Sequence, residues 1–220
     1  MSFRIAIDTG GTFTDAISVD EKGVMVTAKT PTMPKNLAQG TINSIAALAK
    51  ANGKETEGFL KEVVTIVHGT TQGTNVIITR SGPEIGLIAT KGHRDVIQLR
   101  RVTRENLFDW RKNFPEPLVP RYLRVEVEER VNSKGEVHIP LKDADVHKAV
   151  TYLKNMGVKN IAVVLLWSFL HPEHERRIKE IINRVHPEAH VTISSDILPA
   201  IGEYERTSTT VISAYTASST

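Results

Sequence analysis

The chain contains no cysteine, which excludes disulfide frameworks, thiolate nucleophiles and Cys-ligated metal sites. Long hydrophobic runs are missing too. The longest clean one, "IAVVLLW" at 161–167, falls far short of the ~20 residues a bilayer-spanning helix needs. Aromatic residues make up only 5% of the chain, and neither sign of charge dominates: the formal net charge is +3 over 220 residues. So small a surplus provides no basic field of the kind nucleic acid demands, and neither nucleic acid nor a membrane is expected as a partner. The first residues pass from Met1 and Ser2 directly into a strand pattern, without the n-region, h-region and cleavage site of a signal peptide. A cytoplasmic location is therefore expected. Two catalytic signatures are also missing, the GxxxxGK[ST] phosphate loop and the GxSxG nucleophile elbow.

What remains is an ordinary globular composition, 40% hydrophobic and 24% charged, in a chain long enough for one well-cored domain and part of another. Strand and helix signals alternate along it. "FRIAI" (3–7) and "TFTDAISVD" (12–20) read as strands joined by a glycine turn, and "GVMVTAKT" as a third strand after another turn. Residues 36–51 read as a helix capped by Asn36, with Ile42, Ile45, Ala46 and Ala49 on its apolar face. "VVTIVHG" (63–69) reads as a strand buried on both faces. "TQGTNVIITRSG" follows as a helix closed by Gly82 as C′ residue, then "EIGLIATKG" (84–92) as a strand and "RDVIQL" as the start of another helix. Residues 100–120 lose periodicity and carry three prolines, which predicts a surface excursion.

Beyond it, "YLRVEVEERV" (122–131) alternates as a half-exposed antiparallel strand does, with "SKGEVHIP" as turn and return strand. A β-α-β unit follows: a helix with Val146, Ala149, Val150 and Leu153 on one face, the strand "IAVVLLW", a helix with Ile178, Ile181, Ile182 and Val185, and the strand "AHVTIS". The last stretch offers a weak helical face in Tyr204, Val211 and Tyr215 before stopping in small polar residues, so the chain reads as a piece of something longer.

Two loops carry the chemistry. In "AIDTGGTFTD" (6–15), Gly10 and Gly11 let successive backbone N–H groups point at one concave spot, and Thr9, Thr12 and Thr14 add hydroxyls. Asp8, at the end of its strand, is placed to hold Mg²⁺ through water, and Asp15 is a second carboxylate. By strand parity Asp15 shares a face with Phe13, Ile17 and Val19. A plain hairpin turn with Asp15 bonded to its own loop accounts for the same residues. In "HGTTQGTN" (68–75) a strand turns into a helix whose free N–H groups face the strand end. His68, Gly69, Thr70 and Thr71 stand there, although capping alone would explain the threonines. Were the strands ending at Asp8 and His68 parallel neighbours, both loops would open on the crevice where α/β sheets bind ligands. "TKGHRD" (90–95) would bring Lys91, His93, Arg94 and Asp95 as a further strand end. "HPEHE" (171–175) reads as a solvated helix start rather than a metal site, and the basic, aromatic stretch 99–114 as a loop packing onto a partner subunit.

Taken in order, "IDTGGTFTDA", "HGTTQGTN", "GHRDVIQLRR", "LFDW", "PLVPRYLRVEVEERV", "GEVHIPL", "VVLLWSFLHPEHERR" and "SSDILPAIGEYERTSTTVISAY" resemble the hydantoinase A / 5-oxoprolinase family, with its N-methylhydantoinase and acetone and acetophenone carboxylase relatives. The resemblance runs from Phe3 to Tyr215. It implies the N-terminal half of an actin-like (ribonuclease H-like) ATPase: an α/β fold whose mixed sheet starts with a β-hairpin, plus a second β-α-β unit. The implied domain covers 1–196, divided into a phosphate-loop part (1–120) and a second α/β part (121–196), with 197–220 opening the family's main domain.

The implied activity is ATP-dependent hydrolysis of a cyclic amide, the carbonyl being activated by phosphorylation. ATP and Mg²⁺ are the implied cofactors, and a carboxylase subunit or an inactive assembly module are the alternatives. Asp8, Asp15 and His68 would be catalytic, Asp8 also the metal ligand. Thr9, Gly10, Gly11, Thr12, Thr14, Gly69, Thr70 and Thr71 would bind the cofactor. Implied partners are a cyclic amide or ketone substrate, the remainder of the hydantoinase A polypeptide and a hydantoinase B-type subunit, in an oligomer. The chain departs from many relatives at Gln72-Gly73 and at His93, near the presumed substrate side.

Overall fold

The computed structural model describes residues 2–34, 36–102, 109, 111–112 and 114–217. Half of the basic, aromatic stretch 99–114 lies outside the described residues. The chain divides into two compact units, Met1–Thr79 and Arg80–Ser219. Sequence places a boundary near residue 120. The division falls earlier because the strand at 85–90 pairs only with later strands.

The first unit is a four-stranded sheet in the order β3-β2-β1-β4, built from β1 (Phe3–Thr9), β2 (Phe13–Asp20), β3 (Met25–Pro31) and β4 (Val63–Thr70). β1–β3 form an antiparallel meander, and β4 joins β1 in parallel after a crossover through α1 (Leu37–Ala51) and α2 (Thr56–Glu62). The period-2 pattern decides which face is covered. Phe3, Ile5 and Ile7 of β1 and Ala16 of β2 pack with Leu48, Ala49 and Phe59 of the two helices. Asn36 caps α1 as expected, accepting the Gln39 N–H. The buried side of α1 is Gly40, Ser44, Leu48 and Ala49, while Ile42, expected in the core, is 53% exposed.

β4 departs further from expectation. Its run of β-branched residues predicts burial on both faces, yet Val64, Ile66 and Val67 are 53–63% exposed. The reason is position: among the described residues β4 is an edge strand paired with β1 alone, and the core cluster that covers β1 reaches only its first residue, Val63. α3 (Gln72–Thr79) follows it and buries none of its residues.

The second unit holds an all-parallel sheet in the order β10-β9-β5-β6, from β5 (Ile85–Thr90), β6 (Arg124–Val127), β9 (Asn160–Val164) and β10 (His190–Ile193). β6 is thus parallel to β5, against the antiparallel expectation; the antiparallel pair is the short β7 (Arg130–Val131) with β8 (Val137–Ile139). Every residue of β5 and β9 is buried, as apolar runs in a parallel sheet require. A one-turn α4 (Val96–Leu99) follows β5, and a 3-10 turn (Arg121–Leu123) precedes β6. α5 (Asp143–Asn155) buries Val146, Ala149, Val150 and Leu153, the face read from sequence. α6 (Glu173–Val185) buries Ile178, Ile181 and Ile182, and with them Glu175. A short α7 (Ser194–Ile197) leads to α8 (Glu203–Thr216).

Gly82 does not end a helix in a left-handed conformation. Arg80, at φ 51°, occupies that region instead, and a Cβ on Gly82 would stand 2.5 Å from the Tyr215 ring, whose hydroxyl accepts the Gly82 N–H. Nor is "HPEHE" a solvated helix start. His174 Nδ1 lies 2.9 Å from a carboxylate oxygen of the buried Glu129, and Glu175 accepts from the N–H groups of Leu165 and Ser195 and the Ser194 hydroxyl. The buried Arg206 donates to Ser168 Oγ, itself 3.0 Å from Ser194 Oγ. Two serine hydroxyls therefore bridge a buried cation to a buried anion, as an unpaired charge in such a place would be costly. No helix of the described residues is long and apolar enough to cross a membrane.

Candidate functional site

β1 and β4 are parallel neighbours in register, with Asp8 beside Gly69 and Thr9 beside Thr70. The two glycine- and threonine-rich loops therefore meet at one end of the sheet, within the first unit. In the turn, Gly10 N–H donates to Phe13 O, and a Cβ on Gly10 would stand 2.9 Å from that oxygen. A Cβ on Gly11 would lie 3.0 Å from Asn75 Nδ2, so the side chain at the start of α3 rests against the bare turn. Thr32 closes the other side: its N–H donates to Thr12 O, and its hydroxyl donates to Gly10 O. The second loop is tied to the first by the Thr71 N–H on Thr9 O.

The N–H groups of Gly11, Thr12, Gly73 and Thr74 engage no acceptor among the described residues. They are the orphan donors of a tight turn and of a helix start, the backbone arrangement that cradles an anion.

The carboxylates lie on the exposed face of the sheet. Asp8 and Asp15 are direct cross-strand partners, and Gly69 flanks Asp8 on the other side without a side chain to crowd it. Like charges directly opposite are destabilising unless a cation relieves them. Asp15 has Lys29 at 2.9 Å, itself over the Phe13 ring, whereas Asp8 makes no hydrogen bond or ion pair among the described residues. Below the two carboxylates, Ala6, Ile17, Thr27 and Val67 line an apolar hollow of about 250 Å³.

The expected site residues thus divide. Asp8, Asp15 and Gly69 share the open face, while Gly10, Gly11 and Thr12 form the turn above it. Thr9 and Thr14 are buried on the opposite face: Thr14 Oγ1 is 3.1 Å from Thr32 Oγ1, and Thr9 Oγ1 is 3.0 Å from His68 Nε2. His68 accordingly lies across the sheet from the carboxylates. Thr70 accepts the Gln72 N–H, and Thr71 accepts from Asn75. Thr32 and Asn75, which sequence reasoning missed, lock the two loops. The strand end carrying Lys91, His93, Arg94 and Asp95 belongs to the second unit. No group of three or more metal-ligating side chains occurs among the described residues, so a cation here would rest on one or two carboxylates, water and its own ligand. That donor set suits Mg²⁺.

Residues 4–186 match the hydantoinase/oxoprolinase N-terminal region. The chain belongs to this family. It is 34% identical to caprolactamase subunit alpha of Pseudomonas jessenii, over 97% of this chain and 31% of that protein. It is 38% identical to the acetophenone carboxylase gamma subunit of Aromatoleum aromaticum, over 96% of this chain and 30% of that protein. The solved nucleotide-free structure of acetone carboxylase superposes with a TM-score of 0.90 at 30% identity, covering 99% of this chain and 32% of that one. These likenesses agree with the α/β, actin-like N-terminal architecture. The chain spans about a third of the length of the relatives it matches.

Proposed function

We propose that this chain is the N-terminal part of an ATP-dependent enzyme that opens cyclic amides, and that it carries the first of that enzyme's phosphate loops. The observation that carries the reading is the meeting of two glycine-rich loops, with unengaged backbone N–H groups, above the Asp8–Asp15 pair. MgATP, when bound, would supply the phosphoryl group that turns an amide carbonyl oxygen into a leaving group. The Gly11, Thr12, Gly73 and Thr74 amides would hold phosphate oxygens, and Asp8 would hold the Mg²⁺ hydration shell, with Asp15 as its neighbour. The work assigned to these residues is positional and electrostatic. Thr9, Thr14 and His68 would brace the loop from behind, and Thr70 and Thr71 would fix the start of α3.

A second reading, the subunit of a ketone carboxylase, is favoured by the 38% identity to an acetophenone carboxylase subunit. In either case the rest of a longer polypeptide and a hydantoinase B-type subunit would complete the enzyme in a cytoplasmic oligomer. ADP release by the full-length protein with 5-oxoproline, hydantoin and acetophenone, with and without bicarbonate, separates the two. Lactam-dependent turnover is the expected result, and bicarbonate-dependent ketone turnover would favour the second. Asp8→Asn should abolish Mg²⁺-dependent turnover while leaving the melting temperature unchanged or raised, since it removes a like-charge contact. Full activity in that variant would sink the site assignment.

A further inference from the structure

We propose that an open trough beside β6, in the second unit, docks an extended acidic segment of a partner subunit. The inference rests on the subunit reading above and adds a place and a chemistry to it. The trough measures about 820 Å³ and runs between the start of β6 and one side of α5. β6 pairs with β5 on one side only; its other edge meets no strand among the described residues. Such an edge offers main-chain donors and acceptors to an incoming strand, while neighbouring side chains supply specificity.

Hydrogen bonds hold the aromatic walls in place. Tyr152 donates its hydroxyl to the Tyr122 carbonyl, and Tyr122 donates its own to Glu84, so both rings are held although each is 41–52% exposed. Rigid tyrosines beside arginines are the composition of a protein-binding anchor.

The charge in the trough is only partly satisfied. Arg94 makes no hydrogen bond among the described residues; its nearest carboxylate, Glu126, is 3.9 Å away and already accepts the Gly92 N–H. Among the described residues Lys148 has only Asp145, at 3.8 Å. Arg121 spends Nε and Nη2 on Asp95, and its Nη1 engages nothing among the described residues. Arg124, by contrast, is buried and engages Val119 O, Asp95 and Gln98 through Nε, Nη1 and Nη2, which fixes the floor rather than the ligand. Three cations with spare donors beside an open strand edge suit carboxylates on an extended chain. An enclosed pocket would suit a small molecule better, since such sites bury most of their ligand.

The test is the affinity of the full-length protein for the hydantoinase B-type subunit, by calorimetry at several salt concentrations. The double variant Arg94→Glu/Lys148→Glu should bind ten- to a hundredfold more weakly and with a shallower salt dependence. Its melting temperature should match the parent's, because both residues lie outside the core. A photoreactive p-benzoylphenylalanine at position 148 should crosslink to an Asp/Glu-rich stretch of the subunit. A complex that forms with unchanged affinity, or a crosslink to a non-acidic surface, overturns this proposal alone. Absence of any complex overturns the partner reading with it. Loss of RNA binding by the double variant, with subunit affinity intact, would reassign the trough to nucleic acid.

Discussion

Asp8 and Asp15 face each other across two strands, and every residue around them has a reason that can be tested singly. The backbone of the turn tolerates no side chain at position 10. In Gly10→Ala the new Cβ would meet the Phe13 carbonyl at 2.9 Å, and a strand backbone cannot yield cheaply. We expect a loss of about 1–3 kcal/mol in urea unfolding. Gly11→Ala meets the flexible Asn75 amide instead, at 3.0 Å, and should cost less. A change of the opposite order would contradict the loop geometry.

A second residue-scale expectation concerns pH. Hydrogen bonding from Arg121 holds the Asp95 carboxyl below the usual carboxylate range, against its partial burial. A group depressed on folding stabilises above its unfolded pKa, near 3.8, and that contribution disappears as pH falls through the lower folded value. Asp95→Asn should therefore lower the melting temperature near neutral pH and converge with the parent in strong acid. Parallel curves down to the lowest pH would refute the pairing. Asp8, Gly10, Gly11 and Asp15 were legible in the sequence because a turn is local chemistry. Thr32 and Asn75 were not. Each reaches the turn from a distant segment, and no spacing rule connects them to it.

Among the elements, β4 shows most clearly where pattern reading stops. "VVTIV" is a composition that calls for cover, and the parallel pairing with β1, which the sequence leaves as a condition, is the one observed. Which chain provides the cover is not encoded in the run itself. Here one edge of β4 meets no strand among the described residues, and three of its large apolar residues are exposed. An edge with no Lys, Arg, Asp, Glu or proline, whose one irregularity lies near its start at Val64, is prone to pair with another copy. We expect the 220-residue chain to self-associate with rising concentration, and Val64→Lys to suppress this in light scattering without lowering the melting temperature. Association unaffected by that change would place the contact elsewhere. The parallel pairing of β6 was missed for a related reason. Alternation of Leu and Val with charge reports one covered face, and it is silent about strand direction, which the pairing of β6 with β5 decides.

At the level of the molecule, the chain matches about a third of its relatives' length. The proposed loop offers donors to one side of a phosphate chain, and a nucleotide needs more than that. ATP turnover by residues 1–220 alone should stay at background, while the full-length protein turns over. Robust MgATP hydrolysis by the short chain would overturn this.

Composition, turn chemistry and hydrophobic period were enough to determine the α/β class, most helix faces and the identity of the glycine turn, because each is settled by neighbours in sequence. Only the tertiary structure decided that β5 leaves the first sheet, that His68 turns away from the carboxylates, and that Thr32 and Asn75 lock the loops. Those outcomes depend on which strand lies beside which, and register across a sheet is set by packing between segments far apart in the chain.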